Sequence, residues 1–363
     1  MEKELPEMSK RLISLPAEPE QAGKPKEDLT GRDRLVSNVL FSWAAHFVFI
    51  IAGFIMPRMI DRRLGQDLLG IWDFAWSLVT YFALVQLGIS SSVNRYVAKY
   101  RAAGDTLSVN RTVSSAFCIL GPGGLLVLGL TIALALLLPQ MFGFRLGENT
   151  RQAQWVVFFL GAGVAVEVSF SVFGGVITGC HQWKLENIVK SGWRAFTVGA
   201  MIIALLYGRG LQSLAVITLL GLILDYATRV LLTYRICEGL RLQLSLVRWK
   251  TVRELFVFGG KAIIPSVSNM LLNQTISILI IAVLGPAALA LFTRPRFLML
   301  HINTLVSKMA FVLTPTTSSL QSVGNVKEIR ELLITSVRYS LYLVLPMVLV
   351  LVIFGGPIMQ FIR

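Results

Sequence analysis

The sequence predicts an all-α integral membrane protein with about nine transmembrane helices, and three observations carry that prediction. Hydrophobic residues make up 55% and charged residues only 15%, against about one half and one quarter in an ordinary soluble domain. Apolar runs long enough to cross a bilayer recur along the chain. The segments between them are short and marked by Gly or Pro, and the runs lack the alternation of barrel strands. Helices are then the spanning elements that satisfy the backbone in lipid.

The chain up to residue 33 is rich in Glu, Lys and Pro without an apolar period, so a disordered cytoplasmic tail is expected. The first apolar run, Leu35 to Met56, is followed by Arg58 rather than by a small-residue cleavage site, which makes it an anchor and not a signal peptide. At 1.5 Å per residue it covers the ~30 Å of a hydrocarbon core. Further runs extend from Leu69 to Leu87, Val113 to Leu138, Trp155 to Thr178 and Ile188 to Tyr207. The remaining four are Leu211 to Thr233, Ala262 to Leu284, Ala287 to Leu313 and Ser336 to Phe354. The expected organisation is a six-helix lobe over 34–236, a cytoplasmic linker over 237–255 and a partial second lobe of three helices over 256–363.

The net charge of +14 would suggest nucleic acid in a soluble protein. Here the Lys and Arg residues stand in the breaks between apolar runs, with no basic patch interleaved with aromatics, so no nucleic-acid partner is expected. Placing the N-terminus in the cytoplasm puts Lys24, Lys26, Arg32, Arg34, Arg95, Lys99, Arg101, Arg111, Lys184, Lys190, the basic 235–253 segment, Lys327 and Arg330 inside. The outer loops keep Arg58, Arg62, Arg63, Arg145, Arg151 and Arg209, an asymmetry of about three to one by the positive-inside rule. A multi-pass inner (plasma) membrane protein follows. Cys118, Cys180 and Cys237 are far apart and form no metal-ligand motif. No metal and no cofactor are expected.

A weak internal repeat has an offset of about 220 residues: Leu64-Gly65 recurs as Leu284-Gly285, each followed by a spanning helix. Six helices separate the copies, and an even number preserves orientation, so the repeat is parallel and relates two lobes about an axis along the membrane normal.

Several short motifs resemble the Wzx-type polysaccharide flippases of the multidrug/oligosaccharidyl-lipid/polysaccharide (MOP) exporter superfamily. They are Arg63-Leu64-Gly65 with Gly70, Leu87-Gly88 leading to Arg95-Tyr96, and Gly175-Val-Ile-Thr-Gly179-Cys-His-Gln182 with Asn187. Leu255-Phe256-Val-Phe258-Gly259, Leu284-Gly285 and Leu313-Thr-Pro315 complete the set. The resemblance implies two six-helix lobes around a central cavity. It also implies alternating access that moves an undecaprenyl-diphosphate-linked oligosaccharide from the cytoplasmic to the periplasmic leaflet. Membrane lipids, a polysaccharide polymerase and glycosyltransferases are the further partners it suggests. Two departures stand out. The seventh helix carries Asn273-Gln274-Thr275-Ile276 where family members often place an acidic residue. The resemblance also calls for at least twelve helices where this sequence supplies about nine, so a chain truncated in its second lobe and unable to transport alone is the expectation.

Polar side chains within apolar helices mark transport pathways by default, because lipid tolerates them poorly. On the eighth helix Arg294, His301 and Lys308 are spaced by seven and stay within about 20° per heptad of one another, a cationic stripe suited to a diphosphate. The competing structural reading has Arg294 and Lys308 snorkelling to the two interfaces. On the seventh helix Ser266, Asn269, Asn273 and Ser277 share a face that suits sugar hydroxyls, and equally suits helix-to-helix hydrogen bonds. Glu167, Asp225 and His46 are the candidates for ion coupling. Asp225 has Arg229 four residues on, the spacing of a local ion pair, whereas Glu167 has no local cation and Arg194 is within conceivable reach. Asp73 lies near the outer face, where a gate network or plain interfacial anchoring is expected. Gly175 and Gly179 form a helix-packing signal within the bundle.

The chain carries no phosphate-binding loop, no HExxH motif and no acidic pair in a loop, so it is not expected to be an enzyme. A membrane polysaccharide polymerase or ligase is the rival from another class, disfavoured by the short outer segments. An ion-coupled multidrug exporter of the same superfamily is the nearer alternative.

Overall fold

The structure is a computed structural model that describes residues 35–86, 88–322 and 326–362. The expected N-terminal tail lies outside the described residues. Among the described residues there are ten α-helices and no strand: α1 Leu35–Leu64, α2 Gln66–Thr80, α3 Ile89–Ala102, α4 Thr106–Leu146 and α5 Thr150–Gly179. Then come α6 Trp183–Leu206, α7 Leu211–Ile236, α8 Trp249–Leu284, α9 Pro286–Ser322 and α10 Val326–Ile362. A 3-10 turn over Tyr81–Gln86 joins α2 to α3 in a single interrupted rod. Among the described residues the helices make about nine traverses.

Apolar stretches of membrane-crossing length lie in 66–102, 106–179, 183–206, 211–236 and 330–357, the second being a hairpin of two helices. Large apolar side chains point outward along these helices: Leu125 is 71% exposed, Leu231 68% and Val352 75%. Such a surface is stable only against lipid. The protein is a multi-pass membrane protein.

The α3 helix is a limb that the hydropathy reading placed in a loop. Its Ile89, Val93 and Val97, four residues apart, are fully buried while Arg95 and Lys99 keep its mean hydropathy low. Gly88 starts the limb with φ +65°, a conformation open to glycine, and so bends the rod between α2 and α3. The buried face of α3 rests on α5 at Gly175 and Gly179. A Cβ at these glycines would lie 2.7 Å from the Ser90 carbonyl oxygen and 2.9 Å from that of Asn94. Two missing side chains four residues apart thus let two backbones touch, the small-xxx-small arrangement of membrane helices.

At the end of the bundle that holds Gly104, Cys180 and Gly239, the connection between α7 and α8 is tied to α4. Asn110 donates from Nδ2 to the Gly239 carbonyl at 3.0 Å and accepts from the Arg241 N–H at 3.1 Å. Ser114 Oγ accepts from the Gln243 N–H at 3.2 Å. The segment is therefore held along one face of α4, and α8 begins at Trp249.

The internal repeat is visible in the backbone. Gly65 has φ 95° and ψ 166°, and Gly285 has φ 88° and ψ 178°. Each donates its N–H to the residue four before it, and each accepts from the residue four after it: Asp61 and Leu69 in one copy, Ile281 and Leu289 in the other. The helices that follow, α2 and α9, pack directly against one another across the two lobes. Their contacts link residues about 220 apart, as expected near a pseudo-twofold axis.

Candidate transport site

Two polar regions stand out, one on the seam between the lobes and one inside the first lobe. The seam begins at the Gly65 end, where the Gln66 side-chain amide donates to the Ala287 carbonyl at 3.2 Å. One turn further, Gly70 meets the backbone of Pro286 so closely that a Cβ would lie 1.9 Å from its carbonyl oxygen. Next comes Asp73, whose carboxylate takes a 2.6 Å hydrogen bond from the Thr293 hydroxyl and an ion pair from Arg294. The seam continues through Phe297, whose ring packs edge-on to Phe54 at 5.5 Å and fills the notch left by Gly53. His301 stands 4.2 Å from Phe297, ring to ring. At the opposite end α3 meets α8: Ser92 donates to the Leu255 carbonyl at 3.1 Å, and the Arg95 guanidinium lies 4.5 Å over the Phe258 ring.

Of the stripe Arg294, His301 and Lys308, the first two thus lie on the seam toward α2 and α1, and the side chain of Lys308 lies outside the described residues. A second guanidinium on the same helix escaped the heptad reading. Arg296 donates to Asn273 Oδ1 at 2.9 Å and to Ser277 Oγ at 3.1 Å, gathering two members of the polar face of α8. Ser277 is buried in this conformation. The side chains of Ser266, Asn269 and His46 lie outside the described residues.

Inside the first lobe, Arg229 is the node of a buried charge cluster. Its Nε and Nη2 grip both carboxylate oxygens of Asp225 at 2.9 Å, and Nη1 donates to Glu186 Oε1 at 2.6 Å. The α5 helix presses on this node at Gly174, where a Cβ would lie 3.3 Å from both Arg229 and Glu186. Beside it is a cavity of about 180 Å³ lined by Phe49, Trp76, Glu167, Lys190, Arg194 and Tyr226. Glu167 shares this lining with the cations Lys190, Arg194 and Arg229. Arg194 lies over the Phe49 ring at 5.7 Å. Spacing alone revealed the Asp225–Arg229 pair, whereas Glu186 enters from another helix and had no local signal.

The family described as polysaccharide biosynthesis protein matches residues 106–362, more than two thirds of the chain. The chain belongs to that family. A Shigella flexneri protein named "Putative O-antigen transporter" is 19% identical over 324 residues, covering 86% of this chain and 75% of that protein. Among solved structures, the inward-facing conformation of a multidrug resistance MATE family transporter of the MOP superfamily aligns with TM-score 0.69 and 15% identity. It covers 87% of this chain and 71% of the other. The chain therefore has the fold of that MOP-superfamily transporter. The family match spans both polar regions from α4 onward, including the Arg229 node and the arginines of α9.

Proposed function

We propose that the protein translocates an undecaprenyl-diphosphate-linked oligosaccharide from the cytoplasmic to the periplasmic leaflet of the inner membrane, with its N-terminus in the cytoplasm. The observation that carries this reading is the pair of guanidiniums on α9, Arg294 and Arg296, set on or beside the lobe seam together with the amide of Asn273. Guanidinium forks match the oxygens of a diphosphate, and amides match sugar hydroxyls. Rocking of one lobe against the other would expose these groups to each side of the membrane in turn. His301 and Lys308 extend the cationic stripe. Ser266, Asn269 and Ser277 extend the polar face. Glu167, Asp225 and His46 are the groups through which an ion gradient would drive the cycle, with Glu167 favoured because it lines the first-lobe cavity and has no local cation in the sequence. Cargo-handling partners would be the enzymes that build the lipid-linked glycan and those that polymerise it. The test is restoration of surface glycan in a flippase-null strain. The reading expects restoration by a form with a complete second lobe and its loss when Arg296→Gln is introduced there at equal membrane abundance. Full display by Arg296→Gln together with Arg294→Gln would overturn it, and increased drug tolerance without glycan display would favour a multidrug exporter.

A further inference from the structure

The seam at the Gly65 end is closed by an unusual economy of contacts. The Asp73 carboxylate accepts hydrogen bonds from Thr293 and Arg294, both on the opposite lobe. Arg294 in turn is steadied by its own helix, with Nε donating to the Ala290 carbonyl at 3.3 Å. The two side chains are 17% and 11% exposed, so the pair is largely withdrawn from water. Gly70 and Pro286 meet backbone to backbone, with no side chain to absorb a partial movement. Helices in such contact either touch or separate, which makes the seam a two-state element.

We propose that Asp73 and Arg294 form a latch that holds this end of the lobes closed, and that a diphosphate-bearing cargo releases it by taking Arg294 from Asp73. The inference rests on the transport reading above, and it adds the way loading would be communicated to the gate. One guanidinium fork cannot serve a carboxylate on α2 and a diphosphate cargo at once. A diphosphate offers more negative charge and more acceptor oxygens than a carboxylate, so it competes effectively for the fork. Asp73 is then left in a seam with no compensating cation, an arrangement that buried carboxylates tolerate poorly, and the lobes separate there. The cargo shifts the equilibrium because it binds the unlatched state more tightly, not because of any push. The Thr293 hydroxyl alone is a neutral donor and a weaker tether.

The experiment uses the full chain in lipid nanodiscs, with Cys118, Cys180 and Cys237 replaced by Ser and a reporter pair introduced by Gln66→Cys and Ala287→Cys. The rate of cross-linking by a short bis-maleimide reads closure of the seam, and undecaprenyl diphosphate is the probe. Saturating probe is expected to slow cross-linking on the order of 5- to 100-fold, the usual span of a coupling between sites. Asp73→Asn should slow it similarly without probe and show little further response. The exchange of charges in Asp73→Arg with Arg294→Asp should restore the rate, separating a lost latch from a lost fold. Failure of that exchange to restore it, or a normal rate in Asp73→Asn, overturns the latch. Probe that binds by native mass spectrometry yet leaves the wild-type rate unchanged overturns the release by cargo while leaving the transport reading standing. Absence of binding overturns both.

Discussion

Replacing Arg229 with Met should destabilise the first lobe severely, and the geometry gives the size of the effect. The substitution deletes three charge-assisted hydrogen bonds and leaves Asp225 and Glu186 without the guanidinium that bridges them. Asp225 is 7% exposed, so water does not replace the lost partner. Removing one member of a buried ion pair typically costs about 3–5 kcal/mol, mostly because the remaining charge is uncompensated. A neutral hydrogen bond between membrane helices is worth only about 0.6 kcal/mol on average, so lost hydrogen bonding alone would be a much smaller effect. For a lobe of this size the larger figure corresponds to a fall in Tm of roughly 6–20 °C. The assay is thermal unfolding in detergent by intrinsic fluorescence. Arg229→Met should be the least stable variant, and adding Asp225→Asn with Glu186→Gln should recover several degrees. A drop below about 1 kcal/mol for Arg229→Met, or a triple variant less stable than the single one, would refute the uncompensated-charge argument.

Gly179→Leu should force α5 away from α3 and reduce the folded yield, whereas Gly192→Leu, where an added Cβ meets nothing, should be tolerated; fluorescence-detected size exclusion separates the two. At the connection after α7, the hydrogen bond from Cys180 and the nearby Arg101 charge bring the Cys237 thiol down to about 7. A depressed thiol pKa keeps the reactive thiolate populated at lower pH. Alkylation of Cys237 should therefore be half-maximal near pH 7, fall as pH drops below it, and move to higher pH in Cys180→Ala, as read by peptide mapping. Topology reporters should read periplasmic after Leu64 and cytoplasmic after Arg101, and the reverse pattern would invert every assignment of inside and outside.

Features set by local spacing were legible in the sequence. The Leu-Gly repeat at an offset of 220 became two glycines of matching dihedral angles, because a sharp reversal between spanning helices needs a residue without Cβ at positive φ. Gly175 and Gly179 mark a close helix contact, and the Asp225–Arg229 spacing marks an ion pair. What was missed depends on side chains meeting from distant segments. Arg296 lies off the heptad that groups Arg294 with His301, and its partners stand 19 and 23 residues away on α8. Glu186 sits in the first turn of α6 and reads as an interfacial acid until α7 brings Arg229 to it. The partnership of Asp73 with Arg294 spans 221 residues, and only the repeat offset hinted that these two helices face one another. The α3 limb was lost to its basic residues, since a hydropathy window averages Arg95, Lys99 and Arg101 with the buried Ile89, Val93 and Val97.

The central claim, that this chain moves a diphosphate-linked glycan lipid between leaflets through the seam between its lobes, is most directly tested by translocation in proteoliposomes. A purified form with a complete second lobe would be reconstituted with a fluorescent undecaprenyl-diphosphate oligosaccharide, and exposure at the outer leaflet would be followed by a membrane-impermeant lectin or quencher under an imposed ion gradient. The account predicts protein-dependent exchange that is abolished in Arg296→Gln and retained for the diphosphate-linked lipid but not for the same glycan on a neutral lipid. Equal exchange of the neutral and diphosphate-linked lipids, or exchange unaffected by Arg296→Gln and Arg294→Gln combined, would contradict it.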